Sequence, residues 1–228
     1  MAQAIFKSWF IDFEPWGGVM PDDWQITKVG DLPLVVTDYV ANGSFASLKK
    51  NVTLLEEPNY AIFIRNTDLK TGKFEKYVDE HSYRFLSKTM LFGDEVIISN
   101  VGDVGSVFLC PYLTQAMTLG NNMIMLNASK EKAQNYFFYL LFKYSYGAEL
   151  IQLITGGSVQ LKFNKTDFRS LQITMPTSEI MKKFTSTVEC LFQKRATLLQ
   201  EIAYLADLRD SLLPRLMSGE ITIKRGII

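Results

Sequence analysis

The sequence predicts an α+β protein: a mixed globular domain followed by a long C-terminal α-helix that forms an antiparallel coiled coil or a helical bundle. Two observations carry this prediction. Short runs rich in β-branched and aromatic residues, separated by turn residues, occur through the middle of the chain and are typical of strands. From about residue 179 to 213 the apolar residues recur in steps of three and four, which is typical of a helix with a continuous apolar face.

The order of these patterns divides the chain of 228 residues into three parts. Residues 1–20 hold a short N-terminal helical segment, residues 21–178 the mixed domain, and residues 179–228 the long helix. Hydrophobic residues make up 47% of the chain, which is enough for a sizeable core and excludes a disordered composition.

Periodicity places the elements of the first two parts. Apolar residues at helical spacing predict a helix over Ala2–Phe13, which the turn residues of Glu14–Gly18 end. The same spacing predicts a helix over Lys130–Ile154, followed by a break at Gly156 and Gly157. The runs that predict strands are Tyr60–Arg65, Glu95–Ser99, Ser106–Cys110, Met123–Leu126 and Leu171–Met175.

The last helix is predicted over Glu179–Leu213, with Ser178 as its N-cap and an end before Pro214. Its apolar face is too wide and too long for one small domain to cover, so we expect it to pair with a second helix. That helix comes from another copy of the chain or from Ala2–Phe13. The residues predicted to form the partner face are Phe184, Val188, Leu191, Arg195, Leu198, Ile202, Leu205, Arg209 and Leu212.

Cysteine and histidine are scarce. Cys110 and Cys190 are the only thiols and His81 the only imidazole, which excludes a disulfide scaffold and leaves too few closely spaced ligands for a zinc site. No metal is expected. The chain shows no signal-peptide pattern, and its apolar runs fall far short of the roughly 20 residues of a membrane span. We therefore expect a cytoplasmic protein without a membrane span.

Short motifs offer little catalytic chemistry. Gly102 and Gly105 lie between two predicted strands without the Gly-Lys-Ser/Thr ending of a phosphate-binding loop, so a glycine-rich turn is predicted. There is no dinucleotide-binding fingerprint, and no Asp/Asn-Pro-Pro-Tyr/Phe tetrapeptide of the kind amino-methyltransferases use to hold a flipped base. Asp22, Asp68 and Lys70 allow an alternative, a magnesium-dependent nuclease.

Charge alone neither supports nor excludes DNA as a partner. Lys and Arg number 24, Asp and Glu number 24, and the formal net charge is +0. A local patch can still supply the roughly 6–10 phosphate contacts of a DNA complex. Arg can bridge guanine and Asn or Gln can bridge adenine, so Arg65, Asn66 and Gln160 are candidate base contacts. The full candidate DNA-binding set is Ser44, Lys49, Lys50, Arg65, Asn66, Lys70, Lys73, Lys76, Arg84, Ser158, Gln160 and Lys162.

Four segments, in order along the chain, resemble the specificity subunits of type I restriction-modification systems. They are Pro21–Asp31, Gly93–Ser99, Gly157–Gln160 and Leu208–Glu220. In addition, Ala2–Pro15 is similar to the end of the central conserved region in that family, the stretch that leads into a second target recognition domain.

The resemblance implies the fold and the function. Full-length members have two target recognition domains joined by two antiparallel conserved helices, and each domain recognises one half of a bipartite DNA sequence. This chain has one such set, as in a natural half-length subunit or the C-terminal half of a longer one. A non-catalytic subunit is implied. The modification subunits would carry S-adenosylmethionine, and a restriction/translocase subunit would cleave DNA.

The resemblance also leads us to expect self-association of a half-length subunit through Glu179–Leu213, in the cytoplasm of a bacterium or archaeon. Two other functions remain open on the residues alone: a coiled-coil adaptor whose mixed domain binds protein, and the magnesium-dependent nuclease. The bases recognised do not follow from one sequence, because the loops that contact bases vary within such a family.

Overall fold

A computed structural model describes residues 1–128 and 131–221 of the chain. Its helices are α1 (Ala2–Phe10), α2 (Phe45–Asn51), α3 (Asn66–Thr71), α4 (Glu80–Phe85), α5 (Gln134–Tyr144), α6 (Tyr146–Ile154), α7 (Lys165–Ser170) and α8 (Ser178–Met217). Its strands are β1 (Gln25–Lys28), β2 (Val35–Asp38), β3 (Leu54–Leu55), β4 (Ala61–Ile64), β5 (Tyr77–Val78), β6 (Met90–Leu91), β7 (Val96–Ser99), β8 (Val107–Leu109), β9 (Ala116–Leu119), β10 (Met123–Asn127) and β11 (Gln172–Met175).

This mixture of strands and helices with a long C-terminal helix confirms the predicted fold class. Contacts divide the chain into two compact units, Met1–Glu189 and Cys190–Ile228. The predicted division at residues 20 and 178 separates parts by their expected roles and stays a prediction. Among the described residues, no helix is both long enough and apolar enough to cross a membrane.

The strands of the first unit form three sheets. One has the order β2-β10-β7-β8, the second β3-β5-β4-β9-β6, and β1 pairs with β11. Every residue of β4 and of β7 is buried, which explains their uninterrupted apolar sequences. Ile64, Ile97, Leu119 and Met123 belong to one core cluster that links the two larger sheets. The five predicted strands correspond to β4, β7, β8, β10 and β11, with bounds that agree to within one residue.

Aromatic rings join α1 to the rest of the first unit. The ring of Phe10 lies 5.1 Å from that of Phe137 in α5 and 4.8 Å from that of Phe184 in α8. Phe6 contacts the same two rings. The predicted N-terminal helix is confirmed but ends at Phe10 rather than Phe13. The helix is followed by Ile11 with φ −121°, and Phe13, with a left-handed φ of 51°, precedes a 3₁₀ turn at Glu14–Trp16.

The helix predicted over Lys130–Ile154 is two helices, and Lys130 itself lies outside the described residues. Ser145 separates α5 from α6 in an extended conformation. At this corner a Cβ on Gly147 would lie 2.7 Å from the Leu141 oxygen, so only glycine fits. Helical periodicity on both sides of a sharp corner resembles that of one continuous helix, which is why the sequence did not show the break.

The long helix is confirmed, and both predicted ends are corrected. Ser178 is the first helical residue rather than the cap, and the hydroxyl of Thr177 accepts a hydrogen bond from the Ile180 amide at 3.4 Å. Pro214 lies inside the helix, which runs on to Met217. The Pro214 carbonyl accepts a hydrogen bond from the Ser218 amide at 2.9 Å, so helical bonding continues beyond the proline.

Candidate nucleic-acid interface

Parallel pairing of β4 with β9 brings the ends of two strands side by side, with Ile64 opposite Leu119. The chain leaves both strands at the same edge, where the Gly120 amide donates to the Ile64 carbonyl at 2.7 Å. A Cβ on Gly120 would lie 2.5 Å from that oxygen, so no side chain fits. The segments that follow the two strands, beginning at Arg65 and at Asn121, therefore lie next to each other.

We expect Gly120→Ala to lower the free energy of unfolding by about 1–3 kcal/mol, because its Cβ forces two backbones apart. Urea unfolding of the variant measures the change. Gly156→Ala is the matched control, since a Cβ there meets nothing within 4 Å, and we expect it to be neutral. Equal stabilities of the two variants would show that the close approach at Gly120 does not constrain the fold.

A third segment reaches this edge from β7. Ser99, its last residue, pairs with Met123 of β10, and the next amide, of Asn100, donates to the Asn122 carbonyl at 3.0 Å. The turn that follows contains Gly102 and Gly105, both with positive φ, so the predicted glycine-rich turn is confirmed. We call the whole edge the strand-end surface; it consists of residues 65–70, 100–105, 120–122 and 156–162.

The fourth segment of the strand-end surface is a hydrogen-bonded loop. Gly156 and Lys162 exchange backbone hydrogen bonds of 2.9 and 2.8 Å, and the Gly102 amide donates to the Leu161 carbonyl at 2.9 Å. Gly157 has φ +112°, and a Cβ there would lie 2.3 Å from the Gln160 oxygen. Backbone hydrogen bonds therefore hold the two ends of the loop together, and its side chains at 158–160 are exposed.

A cleft of about 470 Å³ adjoins the strand-end surface. One face of α2 and the residue that follows the helix form one wall, through Phe45, Leu48, Lys49 and Val52. The cleft is also lined by Asn100, Val101, Asn121, Asn122 and Met123. The side chain of Phe45 is 81% exposed, which is unusual for a phenylalanine at the edge of a cleft. α2 thus places a lysine and an aromatic ring beside the converging strand ends.

The charges of the strand-end surface are partly compensated. Lys70 lies 2.6 Å from a carboxylate oxygen of Asp103, which also accepts a hydrogen bond from the Asn66 amide at 3.0 Å. Hydrogen bonds from Lys70, then Ser106, then Asn66 lower the pKa of Asp103 to about 2, so this carboxylate is charged at neutral pH. Within the described part of the chain, the predicted phosphate contacts that form no ion pair are Lys49, Lys50, Lys73 and Lys162.

Arg65 has a structural role that the sequence prediction missed. Its Nε donates to both carboxylate oxygens of Asp68, at 3.1 and 3.0 Å, and Asp68 also accepts the Arg65 backbone amide at 2.9 Å. Asp68 is buried, so the ion pair stabilises the first turn of α3. The ion pair engages the Arg65 guanidinium within the chain, and its role as a base contact stays a prediction. It also removes Asp68 from the proposed magnesium site, and no described residues group three potential metal-binding side chains.

Three other predicted DNA contacts are engaged within the chain. The Ser44 hydroxyl accepts the Ser47 amide at 3.3 Å and caps α2. Lys76 pairs with Glu56 across β3 and β5. Arg84 pairs with Glu80 on α4 and lies near Tyr60, at the start of β4. The strand-end surface lies at the other end of β4, whereas α4 packs against α2, which carries Lys49 and Lys50.

The structure adds residues that the sequence prediction missed, namely Phe45, Asn100, Asn121 and Asn122. The sequence Gly120-Asn121-Asn122 is a typical turn signal, and it directly precedes a predicted strand. It therefore indicated a loop. What it could not indicate is that this loop meets three others, because that depends on the pairing of distant strands.

The predicted partner face on α8 has two different environments. Phe184 and Val188 are fully buried within the first unit, where the Phe184 ring packs against the rings of Phe6 and Phe10 in α1, one of the two partner helices that the sequence allowed. In the second unit, Leu198, Ile202 and Leu205 are exposed by 47%, 62% and 52%. Leu191 and Leu212 are half-buried, and Arg195 and Arg209 are exposed, with Arg209 paired to Asp210.

The family model for the type I restriction modification DNA specificity domain matches residues 21–203. The chain belongs to this family. The match covers the three sheets and the first part of α8, so it includes the whole strand-end surface. It confirms the family that the four sequence segments suggested.

Curated members of the family are identical to this chain at about a quarter of the aligned positions. The specificity subunit of the type I restriction enzyme MjaIX from Methanocaldococcus jannaschii is 25% identical over 98% of this chain and 53% of its own length. The HindI specificity subunit from Haemophilus influenzae is 25% identical over 89% of this chain and 42% of its own length. The chain thus spans about half the length of the curated relatives that it matches.

Solved structures of the family share the fold. The HsdS subunit from Thermoanaerobacter tengcongensis has a TM-score of 0.50 and 17% identity, over 96% of this chain and 50% of its own. The S subunit of the type I system of M. genitalium has a TM-score of 0.53 and 15% identity, over 88% of this chain and 48% of its own.

Proposed function

We propose that this family member is a sequence-specific DNA recognition subunit of a type I restriction-modification enzyme, and that it recognises one half of a bipartite site in double-stranded DNA. The observation that carries the proposal is the strand-end surface. Four chain segments converge there and present amide and ammonium groups from a hydrogen-bonded frame. The names of the curated relatives support the same role.

Two kinds of side chain, on this surface and in the cleft beside it, have different roles in recognition. Lysines such as Lys49 and Lys162 contact phosphates, which fixes the position of the protein on the duplex without selecting a sequence. The amides of Asn66 and Gln160 and the hydroxyl of Ser158 are suited to the edges of bases. The subunit itself is non-catalytic. Modification subunits bind S-adenosylmethionine and transfer the methyl group, and a restriction/translocase subunit cleaves, in the cytoplasm of a bacterium or archaeon.

The exposed apolar stripe in the second unit is proposed as the surface for a partner helix. In a half-length subunit the partner is a second copy, and in a longer subunit it is another conserved helix of the same chain. Two copies related by a two-fold axis would place two identical recognition surfaces on DNA, so the half-length arrangement predicts a bipartite palindrome.

Selection from a library of randomised duplexes tests the proposal. The chain, purified with its modification subunit, is expected to enrich a defined sequence. Enrichment of no sequence would contradict the recognition role and favour an adaptor. Cleavage of DNA by the chain alone with magnesium would instead favour a nuclease.

The double variant Lys49→Ala/Lys162→Ala is expected to weaken binding of every duplex and to reduce the dependence on salt. Loss of two phosphate contacts lowers the slope of log affinity against log salt by about 1.8, from roughly 0.9 per contact. Fluorescence anisotropy over a range of salt concentrations measures this slope. Lys7→Ala is the control, because Lys7 lies on α1, which lines neither the strand-end surface nor the cleft, and this variant should leave the slope unchanged. Equal slopes for wild type and double variant would remove both lysines from the interface.

A further inference from the structure

The turn between β9 and β10 places two asparagines, Asn121 and Asn122, side by side on the strand-end surface. Asn121 and Asn122 are both exposed, and Asn122 has a left-handed backbone with φ 64°. The turn begins directly after Leu119 and ends directly before Met123, which are 0% and 1% exposed. The Asn122 carbonyl is also held by the Asn100 amide. Both amide side chains therefore extend from a backbone that is fixed on either side.

These two asparagines differ from the other two on the same surface. The Nδ2 of Asn66 donates to Asp103 at 3.0 Å, and the Nδ2 of Asn100 donates to the Phe163 carbonyl at 3.1 Å. Within the described residues, neither Asn121 nor Asn122 forms a side-chain hydrogen bond. Their donors and acceptors are thus available to a ligand, whereas those of Asn66 and Asn100 are partly used to hold the loops in place.

The surroundings of the turn fit the edge of an A·T base pair. An asparagine amide can donate to N7 and accept from N6 of adenine at the same time, and an apolar side chain can contact the methyl group of thymine. Phe45 lines the same cleft as Asn121 and Asn122 and is 81% exposed. Lys49, one helical turn along α2, lines it as well and forms no ion pair, so it can contact the adjacent phosphate.

We propose that Asn121 and Asn122 are specificity-determining residues that recognise adenine in the target sequence, with Phe45 against the thymine of the same or the neighbouring pair. This inference rests on the proposed DNA-recognition function and names the residues that select part of the half-site. It assigns base recognition to the β9–β10 turn in addition to the loop at 156–162.

The test is selection from randomised duplexes with the double variant Asn121→Ala/Asn122→Gly. Glycine at 122 keeps the left-handed backbone and removes the side chain with its amide. Asn59→Ala is the matched control, because Asn59 lies before β4, at the opposite end of the β4–β9 pair. Urea unfolding of each variant verifies that the fold is retained.

The inference predicts that the double variant loses its preference at one or two adjacent A·T positions and keeps the rest of the motif. Its affinity for the wild-type motif should fall roughly 5- to 150-fold, whereas Asn59→Ala changes neither motif nor affinity. An unchanged motif in the double variant would overturn the inference and leave the proposed function intact. A folded double variant that loses the same affinity for every sequence would also overturn the inference, because the two asparagines would then contribute to binding without selecting bases. A wild-type protein that selects no motif would overturn both.

Discussion

Phe184→Ala is expected to lower the free energy of unfolding of the first unit by about 3–5 kcal/mol, the largest stability effect of a single substitution considered for this chain. Phe184 is fully buried, and its ring lies 4.8 Å from that of Phe10, 5.9 Å from that of Phe6 and 6.3 Å from that of Phe137. Alanine would leave a cavity among these rings and would uncouple α1, α5 and the start of α8.

Guanidinium chloride unfolding followed by tryptophan fluorescence measures this change, since the Trp9 ring lies 5.9 Å from that of Phe184 and reports on the same cluster. Phe45→Ala is the matched control. Phe45 is 81% exposed, so we expect a change within about 0.5 kcal/mol. A loss below about 1 kcal/mol for Phe184→Ala would mean that the aromatic cluster does not hold α1 in place.

Replacing Ile202 and Leu205 together by Asp is expected to abolish pairing of α8 with a second copy. Both side chains are more than half exposed in the isolated chain, and burial of each would contribute about 1.5–3 kcal/mol. In a two-fold dimer each substitution occurs twice, and four carboxylates would enter the apolar contact. We expect the dissociation constant to rise by at least roughly 100-fold.

Sedimentation equilibrium of the purified chain over a wide concentration range measures this association. The control variant, Thr197→Asp/Ala203→Asp, adds the same charge on the side of the helix away from the predicted seam, and should dimerise like the wild type. A wild-type chain that stays monomeric at every concentration would contradict self-association. In that case we would expect the exposed apolar stripe to pair with a helix of the same, longer chain.

The sequence predicted the elements whose pattern is local and strong. β4, β7 and β10 are continuous apolar runs, and α8 is a long repeat of apolar residues, so each was found. β9 was missed because Ala116–Leu119 is mixed in composition, and β5 and β6 were missed because they are only two residues long. Strands of this kind are stabilised by their neighbours rather than by their own propensity.

The candidate site was predicted in part. Lys49, Gln160 and Lys162 were chosen by residue type and loop position, and the structure brings them to the cleft and to the strand-end surface beside it. The contribution of Asn121 and Asn122 depends on the parallel pairing of β4 with β9, which are far apart in sequence and leave no local signal. The role of Arg65, in contrast, was visible locally, because an Asp three residues later is a common helix-start partner.

The most direct test of the central claim, that this chain selects the DNA sequence, is to map methylation on a random-sequence library. The chain is assembled with its modification subunit and S-adenosylmethionine, and the methylated positions are sequenced. We predict methylation within a defined two-part motif, which is palindromic if two copies of this chain pair through α8. Methylation spread without sequence preference by an intact complex would contradict the claim.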